Sequence, residues 1–313
     1  MHHHHHHGGS GMQRRSTALT LFLAITSCYL AADEKAPKKP VHQPTAQGKA
    51  SFIQDYDLDK DGTVSEAEFA EVRQQRYSAM DENKDGQVSV DEYVNEYAGR
   101  LDKKLDTERT GQIKQTLVRI EALDKNKSKT IGHDEYNASG DKAFAYIDTN
   151  KDGVISKADP LPERERKPDA KQTVRARPAL VMPTTHSVVG MLDMYDQNGD
   201  GKVDKTEYQQ QRDAAFARTD LDKNGELSSD EYLNEFVDRL DRQIAKTRTA
   251  QLKQAAVRFK ALDTDNSQQI SSAEFNASGE RMFKRWDTDL NQQVTMAEAL
   301  PVIEAEANKG TAE

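Results

Sequence analysis

Apolar residues are sparse along this chain and fall into short, regularly spaced groups. Tyr93, Tyr97, Leu101 and Leu105 recur every fourth position, and Ile113, Leu117 and Ile120 follow at intervals of four and three. Such spacing lines up side chains on one face of a helix, so two amphipathic helices are expected, their stripes forming bundle core. Thr110-Gly111 between them reads as a corner that folds the second helix back against the first. Two shorter stretches, Phe69 to Met80 and Tyr136 to Ile147, would each make about 18 Å of helix. That is room for one helix, not two joined by a turn. The pattern predicts an all-α protein.

Between these stretches a twelve-residue acidic pattern occurs eight times. In the first, Asp57, Asp59 and Asp61 hold positions 1, 3 and 5, Gly62 holds position 6, and Glu68 holds position 12. Calcium is a hard cation that takes six to eight oxygens at about 2.3–2.6 Å. Alternate carboxylates supply three, the main-chain carbonyl of Thr63 at position 7 a fourth, and Glu68 both of its oxygens. Gly62 lets the chain turn at positive φ, where a Cβ costs roughly 1–2 kcal/mol. The same set recurs as Asp81, Asn83, Asp85, Gln87 and Glu92, and as Asp148, Asn150, Asp152, Val154 and Asp159. The fifth loop offers Asp196, Asn198, Asp200, Lys202, Asp204 and Glu207, and the sixth Asp220, Asp222, Asn224, Glu226 and Glu231.

These loops resemble EF-hands, and the resemblance runs through both halves of the chain. In that family the aliphatic residue at position 8 forms a short β-bridge between paired loops. Here position 8 is Val64, Val88, Ile131, Ile155, Val203, Leu227, Ile270 and Val294. The resemblance implies calcium as cofactor at up to eight sites. Three loops depart from the pattern. The third (Asp124, Asn126, Ser128, Glu135) carries Lys129 at position 6, and has only two carboxylates. The seventh (Asp263, Asp265, Ser267, Gln269, Glu274) carries Gln268 there, and the eighth (Asp287, Asp289, Asn291, Gln293, Glu298) carries Gln292. A side chain at position 6 strains the turn, so these three sites are expected to be weaker.

Shifting the sequence by 139 residues superposes its halves almost without a gap. Asn95-Glu96 recurs as Asn234-Glu235, and Asn137-Ala138-Ser139-Gly140 as Asn276-Ala277-Ser278-Gly279. This reads as a tandem duplication of a four-loop domain. Prolines cluster between Pro37 and Pro44 and between Pro160 and Pro183, marking extended linkers. The expected organisation is a linker over 33–47, a first helical bundle over 48–162 (loops 57–68, 81–92, 124–135 and 148–159), a linker over 163–183, a second bundle over 184–304 (loops 196–207, 220–231, 263–274 and 287–298), and a tail over 305–313. If the chain turns at Thr110-Gly111, loop two pairs with three and one with four, and likewise six with seven and five with eight.

This loop spacing is similar to that of the bacterial lanmodulin family of lanthanide binders. That family carries proline at loop position 2, where this chain has Leu58, Glu82, Lys125, Thr149, Gln197, Leu221, Thr264 and Thr288. Calcium is therefore expected over a lanthanide. Loop five, with its additional Asp204, is the one to watch for lanthanide.

Composition fits this reading and narrows it. The chain has 313 residues, of which 35% are apolar, so its cores are expected to be small. Acids (53) outnumber bases (44), which argues against nucleic acid as a partner. Residues 1–11 form a histidine-bearing expression tag. From Met12 the order Gln-Arg-Arg, an apolar run from Ala18 to Ile25, and small residues to Ala32 reads as a secretory signal peptide. The expected location is therefore periplasmic or extracellular. Ile25-Thr26-Ser27-Cys28 resembles a lipobox and makes Cys28, the sole cysteine, a candidate lipid anchor; cleavage after Ala32 is the alternative. The apolar run is too short to span a bilayer, which needs about 20 residues. Removing the leader leaves a charge of −11, and 25 of the acids occupy ligand positions. No nucleophile motif, phosphate-cradling glycine loop or histidine metal cluster points to an enzyme. Methionines are few, which favours a buffer or calcium-stabilised module over a sensor opening a Met-rich groove.

Overall fold

The computed structural model describes residues 42–163 and 173–304. The tag, the leader with Cys28, the tail and the middle of the second linker lie outside the described residues. The chain divides into two units. One, Met1–Gln43 with Val302–Glu313, is described only at its inner edges, where the Gln43 side-chain amide donates to the Ile303 carbonyl at 2.6 Å. The other, Pro44–Pro301, holds all eight loops.

Eight helices are present among the described residues: α1 (Ala46–Tyr56), α2 (Glu66–Met80), α3 (Val90–Leu123), α4 (His133–Ile147), α5 (Val188–Tyr195), α6 (Lys205–Thr219), α7 (Ser229–Leu262) and α8 (Ser272–Trp286). Between them lie two- or three-residue strands: β1 (Val64–Ser65), β2 (Gln87–Ser89), β3 (Thr130–Gly132), β4 (Val154–Ser156), β5 (Lys202–Asp204), β6 (Glu226–Ser228), β7 (Gln269–Ser271) and β8 (Gln293–Val294). The all-α class, the single helices between consecutive loops and the β-bridges are as expected.

The pairing of the loops is not. The antiparallel pairs are β1 with β8, β2 with β7, β3 with β6 and β4 with β5. Every bridge therefore joins the first half to the second, and pairing within each half is corrected. The position-8 residues meet face to face, Val64 against Val294, Val88 against Ile270, Ile131 against Leu227 and Ile155 against Val203. All eight are buried.

The cause lies at the expected corner. Helix α3 runs 34 residues straight through Thr110-Gly111. An interior glycine costs a helix only about 1 kcal/mol, which does not force a turn. At 1.5 Å per residue this helix holds loops two and three about 50 Å apart, so they cannot bridge. Its partner is α7, also 34 residues long, and the two pack along their lengths. Arg109 Nε donates to Asp241 Oδ1 at 2.8 Å, and Arg248 Nε to Asp102 Oδ1 at 2.7 Å, which sets the helices antiparallel. These contacts are one another's images under the 139-residue offset.

The stripe Tyr93, Leu101 and Leu105 is core as expected, with Tyr97 half-buried beside it. In the second stripe Leu117 is 45% exposed, and Thr116 is buried in its place. Thr116 tolerates this because its hydroxyl donates to the Gln112 carbonyl one turn back, at 2.9 Å.

Among the described residues the small cores expected from composition appear as five clusters. Four of them back a strand pair, for example Phe52, Tyr56, Phe69 and Phe283 behind Val64 and Val294. The fifth joins Leu101 and Leu105 to Phe236 and Leu240 at the middle of the α3–α7 seam. The described end of the second linker is extended but docked. Leu180 is buried in that seam cluster, while the Glu108 carboxylate accepts from the backbone N–H groups of Ala179 and Leu180 at 3.2 and 3.0 Å.

The recurring Asn-Ala-Ser-Gly also finds a structural reason. Arg73 of α2 lies over the Phe275 ring, 3.5 Å from its centroid, and donates to the Phe275 carbonyl. Arg212 of α6 does the same at Tyr136, at 4.0 Å from the centroid and 2.7 Å from the carbonyl. One turn further along α8 and α4 come Gly279 and Gly140, where a Cβ would press on the arginine side chains.

Candidate metal centre

Each loop starts at the end of one helix. The position-1 aspartates Asp57, Asp81, Asp124, Asp148, Asp196, Asp220, Asp263 and Asp287 are all C-caps. In every loop the second carboxylate oxygen of that aspartate accepts from the backbone N–H of position 6. These bonds come from Gly62, Gly86, Lys129, Gly153, Gly201, Gly225, Gln268 and Gln292, at 2.8–3.0 Å. The bond demands a left-handed residue. Lys129 and Gln268 adopt it at φ 68° and Gln292 at 63°, the strain foreseen for these loops. Position 4 is left-handed too, at Lys60, Lys84, Lys127, Lys151 and Lys223. Sequence reasoning missed this, because lysine carries no turn signal.

Position 12 closes the loop from the other side. Glu68 Oε1 accepts from the Ser65 N–H at 3.1 Å, and its Oε2 from the Leu58 N–H at 3.1 Å, tying the loop's end to its start. The same residue is third in helix α2 and completes a capping box with Ser65. Glu92, Glu207, Glu231 and Glu274 do likewise with Ser89, Asp204, Ser228 and Ser271. The additional Asp204 of loop five thus takes the place serine holds elsewhere, its Oδ1 accepting from the Glu207 N–H at 2.7 Å. Glu135 reaches the Gly132 N–H at 3.0 Å.

In loops four and eight position 12 does not sit in the first turn of a helix: residues 157–162 and 295–304 are non-helical. Asp159 accepts from the Ser156 N–H at 2.9 Å, and Pro160 follows. Glu298 accepts from the Thr295 N–H at 3.1 Å, and the fully buried Lys49 secures this end by donating to the Thr295 and Glu298 carbonyls at 2.9 and 2.6 Å. Burial pushes the Lys49 ammonium below its ordinary range, against the pull of Glu298 and Asp289. Nothing in the sequence pattern marked Lys49.

The ligand side chains converge. Asp57, Asp59, Asp61 and Glu68 place carboxylate oxygens within 4.8 Å of one another. So do Asp81, Asp85 and Glu92; Asp148, Asp152 and Asp159; Asp220, Asp222 and Glu231; and Asp263, Asp265 and Glu274. Position-5 oxygens accept from the N–H of position 7: Asp61 from Thr63, Asp85 from Gln87, Asp152 from Val154, Asp200 from Lys202, Asn224 from Glu226 and Asn291 from Gln293, at 2.9–3.0 Å. Asn83, Asn126, Asn150, Asn198, Asp222, Asp265 and Asp289 occupy position 3, and in loops two, three, four and five its amide oxygen accepts from the N–H of position 5.

Crowding of this kind is electrostatically costly. In loop one the Asp59 carboxyl is pushed up to about 6, first by loss of water around it and then by its hydrogen bond with Asp57.

Four position-1 oxygens decide how well a cation fits. Oδ1 of Asp57, Asp148, Asp196 and Asp220 is buried and accepts from no donor among the described residues, and Oε2 of Glu92 shares this state. A buried carboxylate oxygen without a partner is costly, and a hard cation satisfies it. In loops three and seven the corresponding oxygens of Asp124 and Asp263 accept from both the N–H and the hydroxyl of Ser128 and Ser267. In loop eight Asp287 Oδ1 accepts from the Asn291 N–H at 3.2 Å. The three loops with a side chain at position 6 thus satisfy their position-1 oxygen by themselves, as loop two also does through the Asp85 N–H at 3.2 Å from Asp81 Oδ1. Replacing Gln268 by glycine is expected to stabilise the protein by roughly 1 kcal/mol. Denaturant unfolding measures this, and an unchanged midpoint counts against strain at that residue.

The EF-hand family model matches residues 49–72, 78–95, 141–159 and 188–210, which take in loops one, two, four and five. The calcium-binding protein LPS1-alpha of Lytechinus pictus is 25% identical over 257 residues, covering 72% of this chain and 74% of its own length. These matches support the EF-hand calcium-binding family. They also point to a non-enzymatic protein. No solved structure matches the chain. Among the described residues no helix is long and apolar enough to cross a membrane.

Proposed function

We propose that this is an exported calcium-binding protein, descended by tandem duplication, whose interleaved body is stabilised by calcium and serves as a buffer and structural module. The observation that carries the reading is the set of buried, donor-less oxygens on Asp57, Asp148, Asp196 and Asp220, each within an EF-hand loop. Contacts repeated at the 139-residue offset support the duplication, and the leader starting at Met12 supports export. Extracytoplasmic EF-hands work near 10⁻⁴–10⁻³ M calcium, a range in which graded loops suit buffering.

Binding and folding are coupled here, because the position-1 and position-12 carboxylates that would ligate the ion also cap the helices. Stripping calcium with a chelator is expected to lower the helical circular dichroism signal, and restoring calcium to recover it. A signal unchanged across both steps would sink the proposal.

A further inference from the structure

Outside the loops, α1, α2, α3, α7 and α8 enclose a half-open cavity of about 390 Å³. Its lining includes Arg73, Arg76, Arg100 and Arg258 and, among the described residues, no carboxylate. All four arginines rest on aromatic rings of the same cavity: Arg73 on Phe275, Arg76 on Tyr56 (4.6 Å to the centroid), and Arg100 and Arg258 on Tyr97 (5.5 and 4.6 Å). Stacking holds a guanidinium in place without neutralising it. Arg100 alone of the four has a carboxylate partner among the described residues, Glu96 at 2.8 Å. Arg76 instead donates to the Tyr56 hydroxyl at 2.8 Å.

The deep wall adds a second observation. Arg73 is 8% exposed, its Nε is buried without an acceptor, and burial pushes its guanidinium below the ordinary range. Beside it the buried Met80, Tyr93 and Phe275 present apolar surface, while the exposed Arg100 and Arg258 stand toward solvent. In a protein of net charge −9, this is a local excess of positive charge around apolar walls.

We propose that this cavity binds a small organic anion, an aromatic or apolar body carrying an acidic group. The body lies against Met80, Tyr93, Tyr97 and Phe275, and the acidic group is held by Arg76 and Arg258. The volume falls within the range of small-molecule sites. Guanidinium–anion hydrogen bonds are among the stronger polar contacts.

The test uses the full chain with calcium present and two fluorescent probes that share one body, 8-anilinonaphthalene-1-sulfonate and the uncharged N-phenyl-1-naphthylamine. The sulfonate is expected to saturate a single site and to bind at least about tenfold more tightly than the neutral probe. Arg76→Gln and Arg258→Gln are each expected to weaken the sulfonate about tenfold while leaving the neutral probe unchanged. Arg242→Gln, on the exposed face of α7, should change neither. Equal affinities for the two probes, or sulfonate binding untouched by both cavity variants, would overturn the proposal. Both substituted arginines lie near the surface, and helical circular dichroism verifies that each variant is folded.

Discussion

Truncating Leu240 to alanine is expected to lower the unfolding free energy by about 2–5 kcal/mol, and to do so in a single transition that takes both halves of the chain with it. Leu240 is fully buried at the middle of the α3–α7 seam, packed with Leu101, Leu105, Leu180 and Phe236. Removing three of its carbons leaves a cavity that two stiff 34-residue helices cannot readily collapse. The cooperativity is the sharper expectation. Were the halves separate bundles, Leu240→Ala would melt only the second. Because every β-bridge crosses from one half to the other, losing the seam unravels all four pairs. Calorimetry reads this directly, and a biphasic trace with one unshifted transition contradicts the interleaved arrangement.

The second large effect sets glycine against glycine. Gly111→Ala and Gly140→Ala both exchange a helical glycine for the best helix former, worth up to about 1 kcal/mol where space is free. At Gly111 nothing lies within 4 Å of the new methyl, so stabilisation is expected. At Gly140 the methyl collides with Arg212 Nε, Cζ and Cδ, and the guanidinium cannot retreat from the Tyr136 ring and carbonyl that hold it. Overpacking of this kind costs about 1–3 kcal/mol. Tyr208 also suffers, since its hydroxyl donates to the Gly140 carbonyl at 2.8 Å. Opposite signs in denaturant unfolding are expected from the two variants. A stabilised Gly140→Ala protein would remove the reason offered here for the repeated Asn-Ala-Ser-Gly.

What could be read from the sequence follows from what is local. The twelve-residue loops, the aliphatic residue at position 8 of each and the one-helix spacing between consecutive loops depend on neighbouring residues alone. Pairing depends on distant ones. Loop seven is the copy of loop three, so Val88 of β2 meets an isoleucine whether β2 bridges β3 (Ile131) or β7 (Ile270), and that central contact does not discriminate. The choice rests on whether the chain bends at Thr110-Gly111, and one glycine worth about 1 kcal/mol is weak against the burial gained along α7. Leu117 went astray for a related reason. Thr116 buries its hydroxyl within its own helix, so the inward face shifts by one residue without a hydrophobic signal. Lys49 escaped notice because its partners are backbone carbonyls almost 250 residues away.

The order of the bridges has a kinetic consequence. One with eight, two with seven, three with six and four with five are nested like matched brackets, each enclosing the next. Closing a loop of chain costs entropy that grows with its length, by about 0.6 kcal/mol per doubling. Formed singly, the outermost bridge would be the costliest to close. Formed from the inside, β4 with β5 draws β3 toward β6, the zippered helices then carry β2 to β7, and each step closes only the segments between one bridge and the next instead of the whole span of chain. A fold whose bridges span most of the chain can in this way assemble through a series of shorter closures.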